Sequence, residues 1–291
     1  MLVSIIIPFY GRPQELREAV RSIENLLCRL EFELILVDDG SPNTIDPTSL
    51  GAPELLNVEY IRHERNRGAA AARNTGIANA KGKYIAFLDS DDRIIPEVLE
   101  KRLALAESDE GYDTTIWGCG WHDTDKDAQW KRTRFPRSAE EVADFFAGCW
   151  FSPGSCVLIR RSLLSRTGIQ FDEELRRLED FDFFCRLAMA APIRLKVLDE
   201  VGAKIATGSP RSASDVFRAA DRISAKLREE HRAGRLRADL LRKARAYLSY
   251  EIAKYRFQER QYGAGAVALA HSLMLAPRLK SYPGPGWRAS P

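Results

Sequence analysis

The 291-residue chain contains no run of about 18 apolar residues, so its sequence offers no membrane-spanning helix. It opens Met-Leu-Val-Ser directly into an apolar stretch, without a basic flank or a small-residue cleavage site. No signal peptide is therefore read, and the cytosol is the expected compartment. The five cysteines, Cys28, Cys119, Cys149, Cys156 and Cys185, are odd in number and scattered, with no CxxC or Cys/His ligand spacing; buried thiols are the reading they support. The loop after the first strand candidate is Pro8-Phe9-Tyr10-Gly11-Arg12, not Gly-x-Gly-x-x-Gly, which argues against a nicotinamide dehydrogenase. The Gly/Lys phosphate loop expected for nucleotidyl transfer is missing from the same place. Repeats and low-complexity tracts are absent too. A net charge of +3 is too small to argue for nucleic acid.

What is present is an alternation of short apolar runs and helical patterns. Val3 to Ile7 is β-branched and ends at Pro8, as suits a strand buried on both faces of a parallel sheet. Pro13 fits a first helical turn, and Leu16, Val20, Ile23 and Leu27 follow at helical spacing. Phe32 to Val37, Val58 to Ile61 and Tyr84 to Leu88 are further strands, with an alanine-dense helix over 68–80 and another from Pro96 to about Glu107. This order predicts an α/β fold with an open, mostly parallel sheet flanked by helices.

Beyond residue 110 the expected elements are strands at 114–118, 156–160 and 194–198, a polar, Trp-rich stretch over 120–136, a short helix over 139–146, and a helix from Asp180 to Ala190. From about Ser214 to Ala276 the pattern is helical, and Pro277, Pro283 and Pro285 lead into a tail expected to be poorly ordered. The domain boundaries read as 1–210 for the α/β unit and 211–291 for a helical C-terminal extension. Between Arg211 and Arg245 stand 11 Lys/Arg against 5 Asp/Glu. That excess reads first as a solvated helix face, and second as a contact with an anionic membrane surface or a phosphate-bearing acceptor.

In open α/β sheets ligands bind beyond the carboxyl ends of the strands. Asp38 and Asp39 follow one strand and Asp89, Asp91 and Asp92 follow another, so five carboxylates gather at one edge and call for a cation, either a basic side chain or a metal. Oxygen ligands without adjacent His or Cys point to Mg²⁺ or Mn²⁺. Alternation along an extended segment would set Asp89 and Asp91 on one side, while Asp-Ser-Asp-Asp taken alone reads as a helix cap. Arg73 and Asn74, a turn or so into the Ala-rich helix, suit a diphosphate or else an ordinary helix surface. Asp180 stands at a helix start, free to reach a cleft or to cap it. Trp150 and Phe151 beside a turn are stacking faces for a sugar, or core.

Together, in this order and spacing, these segments resemble family 2 glycosyltransferases of the GT-A fold. The carrying residues are Ser4-Ile-Ile-Ile-Pro8-Phe-Tyr10 with Arg12; Val37-Asp-Asp39-Gly-Ser41; Asn66-Arg-Gly68 leading to Ala72-Arg73-Asn74-Thr-Gly76; Tyr84-Ile-Ala-Phe-Leu-Asp89-Ser90-Asp91-Asp92; and Phe171-Asp-Glu-Glu-Leu to Glu179-Asp180-Phe-Asp182. The match covers about Leu2 to Ala190.

The resemblance implies a metal-dependent, inverting transferase that uses a nucleotide-sugar, typically a UDP-sugar. By it, Pro8, Tyr10 and Arg12 line the base and ribose pocket, Asp39 accepts from the base, and Arg73 and Asn74 face the diphosphate or sugar. Asp89-Ser90-Asp91 becomes the Asp-x-Asp motif, with Asp91 on Mn²⁺ or Mg²⁺ and Asp89 on the ribose or a metal-bound water. Asp180 becomes the general base, with Glu179, Trp150 and Phe151 toward the acceptor. A saccharide or lipid-linked glycan acceptor and a role in bacterial surface or secreted polysaccharide assembly follow from the same resemblance.

Two departures stand out. No histidine occurs in 206–214, where many relatives carry a metal or phosphate contact, and Arg211 is the substitute the sequence offers. A second glycine common before Phe171-Asp-Glu is also missing. The absent histidine motivates an alternative, a nucleotide-binding protein with a decayed site. The segment 264–279 reads as packing or as an interfacial helix. Closure over the acceptor, peripheral contact with the inner membrane face and a homodimer are the three roles left open for the C-terminal part.

Overall fold

A computed structural model describes residues 2–26, 30–50, 57–109, 113–125, 129–152, 154–207 and 212–279. The first half follows the expected alternation: β1 (Val3–Phe9), α1 (Pro13–Arg21), β2 (Phe32–Asp38), β3 (Asn57–Arg62), α2 (Ala69–Asn79), β4 (Tyr84–Phe87), β5 (Arg93–Ile94) and α3 (Pro96–Ser108). Strands β3, β2, β1 and β4 lie side by side in that order, all parallel. Their side chains alternate between two cores. Ile6, Ile35, Val37, Ile85 and Phe87 face one, and Val3, Ile5, Ile7, Leu34, Leu36 and Ala86 face the other, which α1 and α3 cover.

Two expectations for this half change. Pro8 does not end β1, which pairs with β2 as far as Phe9 but with β4 only as far as Ile6. One side of Pro8 therefore needs no ladder donor, and the proline is tolerated. Helix α1 stops at Arg21, with a short 3₁₀ turn over Glu24–Leu26 carrying the apolar pattern on; Leu27 lies outside the described residues. The Ala-rich α2 lies so close to the sheet that a Cβ on Gly76 would meet Ile6 Cγ2 at 2.3 Å.

The second half contains β6 (Thr115–Thr124), β7 (Trp130–Arg134), α4 (Val142–Phe145), β8 (Leu158–Arg160), α5 (Arg161–Thr167), α6 (Glu179–Ala190), β9 (Arg194–Ala206), α7 (Ala213–Arg232), α8 (Ala238–Gln258) and α9 (Tyr262–Leu275). The full sheet order is β3-β2-β1-β4-β8-β6-β9-β5, with β7 on β6. Here the sheet is mixed: β8 runs antiparallel between β4 and β6, β5 is antiparallel to β9, and β6 and β9 are parallel.

The polar stretch expected over 120–136 is largely strand, the β6–β7 hairpin. Its charges concealed it, because buried Asp123 takes Arg132 at 2.5 Å and Arg134 at 2.8 Å inside the hairpin. Gly120 is required by the close approach of Phe135, whose Cδ1 would lie 2.7 Å from a Cβ there. Strands β6 and β9 also outrun their expected ends, at Thr124 and Ala206.

Helices α7 and α8 pack on α6, with the rings of Phe181 and Tyr247 at 4.5 Å, and share one continuous core with the α/β unit. Arg222 and Lys226 of α7 bind Asp172 in the loop ahead of α6, each at 2.8 Å. The expected boundary at 210/211 and the prolines 283 and 285 lie outside the described residues.

Candidate active site

Beyond the carboxyl ends of β1, β2 and β4 and at the start of α6, four segments meet around one guanidinium. Arg73, a turn into α2, is buried; its Nη2 donates to Asp89 Oδ1 at 2.8 Å and its Nη1 to Glu179 Oε1 at 3.2 Å, with Asp180 Oδ1 at 3.9 Å. Its face lies over the Phe171 ring, 5.5 Å from the centroid. Burial pulls its pKa down, but Asp89, Asp180 and Glu179 outweigh that and hold it above the ordinary arginine value. The cation demanded by the clustered carboxylates is thus supplied in part by the chain itself.

Asp180 sits in the first turn of α6, its Oδ2 accepting the hydroxyl of Ser152 at 2.8 Å. Desolvation raises its carboxyl, Arg73 opposes the rise, Glu179 and Asp89 add to it, and the balance is a pKa pushed up to about 6. A quarter of the side chain remains open to the cleft. A carboxylate with that affinity for protons, reachable from solvent, is suited to accept one near neutral pH.

The Asp89-Ser90-Asp91-Asp92 segment is a turn closed by the Asp92 N–H on the Asp89 carbonyl at 2.9 Å, not the extended segment the alternation argument assumed. Asp89 and Asp91 still feel each other: burial first and the Asp89 charge second raise the Asp91 carboxyl, against Arg12, whose Nη1 lies 3.2 Å from Asp91 Oδ2. Arg12 reaches there from left-handed backbone, φ 54, directly before Pro13. Leu178, φ 58, precedes Glu179 in the same conformation. Two of the three described non-glycine residues with positive φ therefore flank the cleft, where strain held by surrounding packing is characteristically found.

Asp92 faces inward. Its carboxylate accepts from Ser155 Oγ at 2.6 Å and from the Ala206 N–H at 2.9 Å, while Ser155 Oγ accepts from the Asp89 N–H at 3.0 Å. Burial and its two acidic neighbours raise its pKa well above the ordinary value. It latches the end of β9 to the motif.

Asp89 and Asp91 supply partly open oxygen donors, an acidic pair only partly neutralised by Arg12 and Arg73. That donor set fits a hard divalent cation, which binds one or two carboxylates and completes its shell with phosphate oxygens. Among the described residues no group of three or more His, Cys, Asp or Glu is arranged to hold a metal.

Other expected positions have different surroundings. Asp39 is buried and its carboxylate accepts from His63 Nδ1 and the Arg67 N–H, both at 2.8 Å, and from the Gly68 N–H at 2.6 Å. Asp39 thus ties down the two backbone N–H groups just ahead of α2, whose own first turn carries no side-chain cap. Asn74 is clamped to Phe171, donating to its carbonyl at 2.9 Å and accepting from its N–H at 2.8 Å, which leaves it supporting the loop and not facing the cleft. Trp150 and Phe151, expected toward the acceptor, are core: they pack on Phe145 and Phe184 with no ring face exposed, and Trp150 Nε1 donates to the Arg137 carbonyl. Tyr10 is 47% exposed at the rim, and Pro8 is buried in β1. Ser90 is half-buried in the turn. Arg211 lies outside the described residues.

Sequence reasoning missed His63, Ser152 and Ser155. The signal for the two serines was the Ser-Pro-Gly-Ser turn itself, read only for its neighbouring aromatics. His63 carried no pattern.

The family model described as Glycosyl transferase family 2 matches residues 4–168. The glycosyltransferase EpsJ of Bacillus subtilis (strain 168) is 30% identical over 232 residues, 74% of this chain and 63% of EpsJ, so the chain spans less than two thirds of that relative. Among solved structures, S. aureus TarS 1-349 in complex with UDP aligns with a TM-score of 0.66 at 21% identity, covering 95% of this chain and 81% of that one. The same protein in complex with UDP-GlcNAc aligns with a TM-score of 0.64, at 21% identity over 95% and 82% of the two chains. At that identity the likeness shows the fold, which is the GT-A type with C-terminal helices.

Proposed function

From the premise that the chain belongs to glycosyltransferase family 2, we propose that it is a metal-dependent, inverting transferase moving a sugar from a UDP-sugar to an acceptor hydroxyl. The observation that carries the reading is Asp180, pushed up to about 6 and open to the cleft that also holds Asp89 and Asp91. The UDP and UDP-GlcNAc held by the TarS structures support the choice of donor.

In this reading Asp91, with Asp89, holds Mn²⁺ or Mg²⁺. When bound, the ion neutralises charge developing on the departing diphosphate. Tyr10 and Arg12 border the nucleotide. Asp180 takes the proton from the acceptor hydroxyl as that oxygen attacks the anomeric carbon, on the face opposite the leaving group, and the configuration inverts. Ser152 orients the base through one oxygen and leaves the other toward Arg73. Arg73 fixes Asp89, Glu179 and Asp180 relative to one another, so the site is built before substrate arrives. With Trp150 and Phe151 in the core, Glu179 and the exposed rim remain for the acceptor, a saccharide or lipid-linked glycan in surface or extracellular polysaccharide assembly. No helix of the described residues is long and apolar enough to cross a membrane.

The test is nucleotide release from UDP-, GDP- and dTDP-sugars with Mn²⁺, Mg²⁺ or EDTA, comparing the native chain with Asp91→Ala. Metal-dependent release from one donor, lost in the variant, is the expected result. Release that persists in EDTA would refute metal dependence. No release together with no thermal shift from any nucleotide plus metal would favour a decayed site.

A further inference from the structure

Away from the cleft, α7, α8 and α9 line an open cavity of about 170 Å³ bordered by Asp221, Ser224, Arg228, Arg245, Ser249 and His271. The His271 ring nitrogen Nδ1 is hydrogen-bonded to Ser249 Oγ at 2.9 Å. Two guanidinium groups against a single carboxylate leave the cavity with surplus positive charge.

The surplus continues around it. Arg218, Arg222, Lys226, Arg235, Arg237 and Lys254 all have carboxylate partners. Arg228, Arg232, Arg242, Lys243 and Arg245 have none among the described residues. Arg228 of α7 and Arg245 of α8 line the cavity from two helices, and Arg232 and Arg242 stand one turn from them along the same helices.

Helix α9 closes the third side and contains no Asp, Glu, Lys or Arg. Such a helix is usually buried, yet Tyr262 is 64% exposed, Val267 72% and Met274 76%. Val267, His271 and Met274 follow at i, i+4 and i+7, one stripe along the helix. Val267 and Met274 therefore flank His271, the residue through which α9 lines the basic cavity.

We infer that this face docks on an anionic membrane surface, the cavity taking a lipid phosphate and the α9 stripe entering the boundary between headgroups and acyl chains. Neither half accounts for the face alone. Unpaired arginines by themselves are solvated, and an apolar stripe by itself invites any apolar partner. Set side by side, they match the charge and polarity profile of an anionic bilayer surface. A second copy placed face to face would set these cations against their own images, which disfavours self-association here. The inference is independent of the transferase reading, because docking is measured without donor or acceptor.

The experiment is flotation of the full chain with phosphatidylcholine vesicles, with and without phosphatidylglycerol, at low and high salt. Binding is expected only with phosphatidylglycerol and should weaken as salt rises. Arg228→Gln with Arg245→Gln should lower the partition coefficient roughly 30-fold, at about 1 kcal/mol for each cation near the surface. Val267→Asp with Met274→Asp should abolish flotation while the thermal transition stays in place, since both side chains are exposed. Equal binding to both vesicle types, or none to either, overturns the inference. Binding of inorganic phosphate without flotation would assign the cavity to a soluble phosphate instead. A concentration-dependent dimer abolished by Val267→Asp would assign the stripe to a second copy.

Discussion

The hydroxyl of Ser152 donates to Oδ2 of Asp180 at 2.8 Å, joining the turn before β8 to the first turn of α6. It is a hydrogen bond to the charged form, so it lowers the Asp180 pKa against the larger effect of burial. The site thus contains its own adjustment of the proton affinity of Asp180.

A pH profile reads that adjustment. Transfer by the native chain should fall on the acid side with an inflection near 6, as Asp180 gains its proton. In Ser152→Ala the stabilising donor is gone, so the inflection should move to higher pH. An unmoved inflection would show that another group sets the acid limb.

Asp180→Asn should lower transfer by about 10²–10⁴-fold, the usual contribution of a positioned base, with nucleotide affinity retained. The same change should stabilise the protein at pH 8. A carboxyl raised in the folded state favours folding below its unfolded pKa, and that advantage is lost as pH rises through about 6. Removing the charge should therefore add about 1–3 kcal/mol above that pH, with no such gain at pH 4, as read by denaturant unfolding at both pH values.

Arg73→Ala leaves Asp89, Glu179 and Asp180 facing one another around a buried gap. A loss of about 3–5 kcal/mol is expected, the cost of stranding buried charges. Arg73→Lys keeps the charge but cannot reach Asp89 and Glu179 with two separate nitrogens, so it should recover only part of the loss. Equal stability of the native chain and Arg73→Ala would contradict the hub.

Trp150→Ala separates a core residue from an acceptor contact. Packed against Phe145 and Phe151, it should cost about 3–5 kcal/mol of stability. A stable variant with only a raised KM for acceptor would return Trp150 to the cleft.

Asp172 accepts from Arg222 and Lys226 and from the Glu174 N–H, which hold its carboxyl far below the ordinary range in spite of the burial that opposes them. A depressed carboxyl contributes stability above its unfolded pKa, and that contribution is lost as pH falls below about 4. Asp172→Asn should lower the thermal transition at pH 7, and the difference from the native chain should shrink toward pH 3.

Much of the first half was legible because its strands are short apolar runs ended by the polar residues that gather at one edge of the sheet. Val3 to Ile7, Phe32 to Val37 and Tyr84 to Leu88 carry their own burial, and Asp39, Asp89 and Asp91 stand just past the last two of these runs. The β6–β7 hairpin was not legible, because Asp123, Arg132 and Arg134 satisfy one another across strands and look like a loop when read along the chain. Asn74 was read as a ligand contact for the same reason. A polar side chain announces that it needs a partner, without saying whether that partner is a substrate or a backbone 97 residues away, as it is for Asn74 and Phe171.

What the sequence determined by itself was the family, the parallel half of the sheet and the strand ends where the carboxylates gather. These depend on local periodicity and on residue types at short spacing. Only the tertiary structure decided which carboxylate is pushed toward neutral pH, that Arg73 binds three acidic groups at once, that Trp150 is core, and that the charge-free α9 borders unpaired arginines. Each of those is a property of neighbours brought together from distant parts of the chain, and burial and electrostatic energy depend on distance in space.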